Sequence, residues 1–192
     1  MDVPQNKPLA RITKTSAVYT GRQFSFTVED VRLPNGVDTR LAAVRHPGST
    51  GIVPLTDDGN VVMIRQYRHA VKAYLLEIPA GTMEPEEPPL ACARRELEEE
   101  TGLSAATLHP LGRIHILPSY SDEVIHIYLA RGFDHLGQHL DRDEIIAVEV
   151  HPIDDLMEMI EDGRITDALT ILALQRTWLY LRRSVGGLCG MP

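Results

Sequence analysis

One stretch constrains this chain more than any other: Gly81 to Leu103, which reads GTMEPEEPPLACARRELEEETGL. Four of the five residues from 96 to 100 are glutamates, namely Glu96, Glu98, Glu99 and Glu100. Leu90, Ala93 and Leu97 recur at helical spacing, which predicts an amphipathic helix over the second half. Pro88 and Pro89 suit its first turn, and Gly102 suits its C-terminal stop. At about 100° per residue, Glu96, Glu99 and Glu100 share one narrow sector beside the apolar stripe, and Glu98 points elsewhere. Like charges on one patch repel, and they lie at the helix end where the macrodipole favours cations. A bound divalent cation would remove both penalties, because hard cations such as Mg²⁺ take oxygen ligands, commonly a few carboxylates plus substrate phosphates. A solvated acidic face is the competing reading of any Glu-rich helix.

The spacing decides between them. Gly81, five residues, Glu87, seven residues and then Arg95-Glu96-Leu97-Glu98-Glu99-Glu100-Thr101-Gly102-Leu103 resembles the Nudix box at every defining position. An accidental match in a chain this long is on the order of one in a million. The resemblance implies an α/β fold, the Nudix α/β/α sandwich with a mixed sheet, and a loop-helix-loop that holds Mg²⁺ or Mn²⁺ against a diphosphate. Outside the box, Pro118 stands fifteen residues beyond Leu103. That proline, the strings VVMIRQYRHAVKAYLLEIPAG and DGRITDALTILAL, and the N-terminal strands are similar to the ADP-ribose pyrophosphatase subgroup over roughly residues 15 to 183.

By position, the resemblance implies metal ligation by Glu96, Glu99, Glu100 and the carbonyl of Ala80. Arg95 would orient the glutamates, Glu87 would brace the loop, Arg68 would bind a phosphate, and Pro118 and Glu123 would meet the substrate. Glu144, preferred over Asp141 and Asp143 of the same loop, would position or deprotonate the attacking water. The implied reaction is Mg²⁺-dependent hydrolysis of ADP-ribose to AMP and ribose 5-phosphate. The alternatives are another nucleoside diphosphate sugar, such as ADP-glucose or GDP-mannose, or a non-hydrolytic nucleotide-sugar sensor. The subgroup also implies a homodimer that exchanges its N-terminal strands.

With 192 residues and 43% hydrophobic content, the chain suits one domain with a small N-terminal extension. A net charge of −8 argues against nonspecific nucleic-acid binding and leaves an anionic substrate dependent on local cations. Cys92 and Cys189 give no disulfide framework, and Cys92 reads as a buried thiol in the helix. The N-terminus has no signal-peptide core and no run reaches membrane-spanning length, so the expected setting is cytoplasmic, with no membrane partner.

In chain order, residues 1 to 13 read as loosely ordered. Phe24, Phe26 and Val28 alternate with polar residues, Asn35-Gly36 signals a turn, and Val37, Thr39, Leu41 and Ala43 alternate beyond it. Residues 1–45 are therefore an expected β-meander, 46–185 the main domain and 186–192 a flexible tail. Strands are expected at 52–55 and 61–64 as a hairpin, then at 75–78, 113–117, 124–130 and 145–150. Two helices should follow, the second capped by Thr166. His115 and His126 would lie on opposite strands of one hairpin, which raises zinc, but two histidines without a third ligand are more often packing or surface residues. Tyr19, Phe24 and Tyr120 are candidates for stacking on a base, and Glu77 lies close to the box without an assigned role.

Overall fold

The computed structural model describes residues 9–138, 140 and 145–185. Its contacts divide into two compact units, one running to Pro47 and including Leu117–Glu123, the other formed by Gly48–Ile116 and the chain from Val124 onward.

The first unit holds β1 (Arg11–Thr20), β2 (Ser25–Arg32) and β3 (Asp38–Arg45) in one antiparallel sheet of order β1-β2-β3. Strand β1 starts inside the stretch read as loose. The predicted turn forms, with Gly36 at φ +85° and the Asn35 side chain accepting the Val37 N–H at 3.2 Å. Phe26 and Val28 are half-buried and Phe24 is 42% exposed; the buried side of β2 is the opposite one, Thr27, Glu29 and Val31. Glu29 tolerates burial because Arg45 donates to it at 2.6 Å. The segment Leu117–Glu123 fastens to the end of β3: Val44 N–H donates to the Tyr120 carbonyl at 2.7 Å, and Asp122 accepts from Arg45 at 3.0 Å and from the His46 N–H at 2.9 Å.

The second unit contains β4 (Ser49–Pro54), β5 (Asn60–Arg68), β6 (Ala73–Glu77), β7 (Ala80–Thr82), α1 (Pro89–Thr101), β8 (Leu103–His115), β9 (Val124–His135), β10 (Ile146–Pro152), α2 (Ile153–Glu161) and α3 (Ala168–Val185). One sheet has order β10-β5-β6 and is antiparallel; the other has order β7-β4-β9-β8, with β4 parallel to β9. The expected β4–β5 hairpin is therefore corrected. Its turn forms, but the strands share a single bridge, Leu55 to Val61, before joining different sheets. Both are buried on both faces (Ile52 and Val53; Val61, Val62, Met63 and Ile64), so each needs partners and cover that a local hairpin lacks.

The two faces feed two cores. Ile52, Val62, Tyr128 and Ala130 pack with Ala93 and Leu97 of α1. Val53, Met63, Ile127 and Leu129 pack with Leu156 of α2 and with Ala173 and Leu174 of α3. This is an α/β/α sandwich with a mixed sheet. Strand β8 begins ten residues before the expected 113–117, and it runs through Pro110 and Gly112 by way of a bulge on an edge strand, where a missing N–H is tolerated. Asp167, rather than Thr166, caps α3, its carboxylate accepting the Thr170 N–H at 2.8 Å. Among the described residues no helix is long and apolar enough to cross a membrane.

Candidate active site

Helix α1 begins with Pro88 as N-cap and Pro89 at its first position, and it stops at Gly102, which takes the left-handed φ of +71° that glycine accepts without penalty. Leu90 is 44% exposed and does not belong to the packed stripe. The buried face is Cys92, Ala93, Glu96, Leu97 and Glu100, so two carboxylates occupy positions an amphipathic helix normally gives to apolar side chains.

Strand β7 meets these carboxylates with its backbone. The Ala80 N–H donates to Glu100 Oε2 at 2.9 Å, and Glu100 is 1% exposed. The Glu96 carboxylate lies so close over Gly81 that any β-carbon there would overlap it. The box glycine is therefore a matter of space, since only a hydrogen fits beneath that carboxylate.

Arg95 organises the other side. Its Nη1 donates to Glu96 Oε1 at 2.7 Å and to Glu99 Oε2 at 3.0 Å, and its Nε and Nη2 fork onto Glu87 at 3.0 and 2.9 Å. The loop reaches this position through Glu86, which adopts a left-handed φ of +64°. The Arg95 pairing pulls the Glu87 carboxyl down to about 2, far below the ordinary carboxylate range, so Glu87 stays ionised. Glu98 turns away and accepts from the Ser104 hydroxyl at 2.9 Å. Burial pushes the Cys92 thiol up to about 12, which leaves it an inert buried group beside the Thr50 hydroxyl, 3.4 Å away.

The three glutamates expected on one patch do not form a ready-made cluster. Among the described residues no three His, Cys, Asp or Glu side chains converge closely enough to hold a metal ion as they stand. Like charges have separated onto the nearest donors, Glu96 and Glu99 towards Arg95 and Glu100 towards Ala80 N–H. The donor set nevertheless fits a divalent cation. Three carboxylates (Glu87, Glu96, Glu99) share the guanidinium of Arg95, and Glu96 and Glu100 are both buried on the same helix face. Unbalanced buried negative charge on an oxygen-only donor set suits a hard cation.

Arg68, at the end of β5, is paired: its Nε lies 3.1 and 3.0 Å from the two oxygens of Glu77, and its Nη2 donates to Oε2 at 2.6 Å. Glu77 is 4% exposed, and no sequence signal beyond its nearness to the box pointed to this pair. Pro118 and Glu123 fall in the segment that groups with the N-terminal sheet, where the Glu123 carboxylate lies 3.7 Å from His46 Nδ1. Tyr19 and Phe24 pack ring to ring at 5.7 Å in the same unit. His126 pairs across the ladder with Arg113, and His115 with Val124, so the zinc reading gains no third ligand among the described residues. Glu144, Asp141 and Asp143 lie outside the described residues.

The chain is similar to several known proteins. The NUDIX domain family matches residues 45–173. A methanol dehydrogenase activator of Bacillus methanolicus is 37% identical over 164 residues, 84% of this chain and 89% of that protein. An ADP-ribose pyrophosphatase of Bacillus subtilis (strain 168) is 36% identical over 170 residues, 88% of this chain and 91% of that protein. The crystal structure of an ADP compounds hydrolase shares the fold, with a TM-score of 0.81 at 24% identity over 94% of this chain and 98% of that one. With its box intact from Gly81 to Leu103 and set on the matching fold, the chain belongs to the Nudix domain family.

Proposed function

We propose that this chain hydrolyses the diphosphate of ADP-ribose to AMP and ribose 5-phosphate, using Mg²⁺ or, in its place, Mn²⁺. The observation that carries the proposal is the buried pair Glu96 and Glu100 laid against the Ala80-Gly81 backbone, with the glutamate-orienting Arg95 beside them. The pyrophosphatase relative of similar length supports the substrate. Glu96, Glu99, Glu100 and the Ala80 carbonyl would hold the cation. Bound there, it would supply charge neutralisation to the diphosphate and lower the pKa of water. Arg95 and Glu87 keep the glutamates oriented, and Arg68 holds a phosphate oxygen. Pro118 and Glu123 contact the substrate, and Glu144 takes the proton from the attacking water. The water oxygen bonds to one phosphorus as the bridging P–O bond breaks, and the second phosphate leaves with its sugar or nucleoside. The test is turnover across ADP-ribose, ADP-glucose and GDP-mannose. The highest kcat/KM is expected for ADP-ribose, and a clear preference for either other compound would reassign the substrate.

Gly81→Ala probes the cradle. The new methyl would meet the far end of a flexible side chain rather than backbone, so the fold should survive while the Glu96 carboxylate is displaced. The expected result is a Mg²⁺ requirement raised about 10- to 100-fold with little change in melting temperature. An unchanged Mg²⁺ titration would show that the contact over Gly81 is not needed.

The same proposal includes a homodimer formed through the N-terminal sheet, with 1–45 as the exchanged segment. Strand β1 is exposed along its whole length and lies at the sheet edge, and Ile12, Val18, Tyr19 and Phe24 are all exposed. An uncovered edge with apolar side chains invites a second copy. Deletion of residues 1–45 should give a monomer or an insoluble product with poor substrate affinity. Full-length protein sedimenting as a monomer at micromolar concentration would contradict the dimer.

A further inference from the structure

Arg68 and Glu77 lie on adjacent strands, but they are not cross-strand neighbours. Arg68 pairs with Ala73, and Glu77 pairs with Ile64 four residues back along β5. That offset is about 13 Å along the strand, so both side chains must extend towards each other to meet. The meeting point is fixed from the Glu77 side. Glu77 is 4% exposed, and the next residue is anchored by its N–H, which donates to the buried Thr170 hydroxyl at 3.1 Å. The carboxylate engages only the Nε–Nη2 edge of the guanidinium, and Nη1 makes no hydrogen bond among the described residues. The Arg68 side chain remains 43% exposed, so its free edge is open to a ligand.

Two other carboxylates compete for this cation. Glu100 and Asp167 both attract the Arg68 guanidinium electrostatically. If Arg68 swung onto Glu100, a phosphate ligand and a metal ligand would be lost together. The two-pronged contact with Glu77, at 2.6 to 3.1 Å, fixes the guanidinium on that carboxylate. Burial raises the Glu77 carboxyl, and the Arg68 pair partly offsets that rise; Arg68 itself, despite burial, is held more firmly protonated than a free guanidinium.

We infer that Glu77 is the positioning residue of the phosphate site: it clamps one edge of Arg68 from a buried, anchored strand end, so that the Nη1 edge is presented to the substrate diphosphate and Glu100 is left for the metal. This rests on the reading of Arg68 as a phosphate ligand in the proposed hydrolase. Glu77 touches no substrate, and its effect passes through Arg68.

The test is a kinetic cycle on the full chain with ADP-ribose: wild type, Glu77→Gln, Arg68→Ala and the double variant, each titrated with Mg²⁺ and melted. Glu77→Gln should raise KM about tenfold while kcat at saturating Mg²⁺ stays within about threefold. It should also raise the Mg²⁺ concentration for half-maximal rate, because the released guanidinium turns to Glu100. In the double variant, KM should match that of Arg68→Ala, and the Mg²⁺ requirement should return to the Arg68→Ala value. A loss of stability alone would not be reversed in this way by removing Arg68. If Glu77→Gln melts too low to assay, Glu77→Asp, which keeps the charge but shortens the reach, takes its place in the cycle. Unchanged KM and Mg²⁺ requirement, or effects that multiply in the double variant, overturn the clamp and leave the hydrolase reading standing. Absence of wild-type turnover on every nucleoside diphosphate removes that reading and the clamp with it.

Discussion

Glu96→Gln and Glu100→Gln are each expected to lose roughly 10²–10³-fold or more in kcat at limiting Mg²⁺ while the protein stays folded. The amide keeps the size of the side chain and one carbonyl oxygen. Glu100→Gln can therefore still accept the Ala80 N–H, and Glu96→Gln can still face Arg95 Nη1. What disappears is a buried negative charge, either from the three carboxylates that share Arg95 or, for Glu100, from the same buried helix face. Relief of that repulsion should hold or raise the melting temperature of the metal-free protein. Activity and stability should thus move in opposite directions, which a general packing defect would not produce. Glu98→Gln is the control, because its carboxylate is engaged with Ser104 and faces away from Arg95. Near-normal turnover of both variants at limiting Mg²⁺ would remove Glu96 and Glu100 from the metal site.

Glu144→Gln is expected to lower kcat by about 10²–10⁴ with little change in KM. The carboxylates of α1 and its loop already have other roles. Carboxylates committed to a cation are poor proton acceptors, and Glu87 is committed to Arg95, which holds its pKa near 2. A base should therefore come from outside α1. The sequence before β10 contains Asp141, Asp143 and Glu144, of which Glu144 is nearest to the strand in sequence and is the position the family resemblance favours. Mg²⁺ affinity measured without substrate should barely change. If kcat holds in Glu144→Gln and falls in Asp143→Asn, the aspartate is the base. If neutral variants at all three positions stay active, no loop carboxylate serves.

The box made α1 legible because its signals are local: a proline pair to start, a glycine to stop, and helical spacing between. The same local rules misplaced what depends on distant partners. Asp57 to Asn60 encodes a turn, but nothing in 52–55 or 61–64 says that the strands leave each other for different sheets. Strand β8 passes through Pro110 because a proline forbids a central strand and not an edge, and which strand is an edge is set by the sheet. Helical geometry puts Glu96, Glu99 and Glu100 in one sector, but spacing alone does not say which donor each takes: Arg95 for Glu96 and Glu99, and the Ala80 N–H for Glu100. Arg68 and Glu77 are nine residues apart and not paired in register, so only the folded β5–β6 ladder reveals their fork. Gly81 was recognisable as part of the box, whereas its reason, the Glu96 carboxylate lying where a side chain would be, is a fact of packing.

The most direct test of the account is to follow ADP-ribose and its products with the purified full-length protein, with and without Mg²⁺. AMP and ribose 5-phosphate are expected in equal amounts, formed only when Mg²⁺ or Mn²⁺ is present and abolished by chelation. Tight ADP-ribose binding with no cleavage at saturating Mg²⁺, or cleavage that persists under chelation, would contradict it.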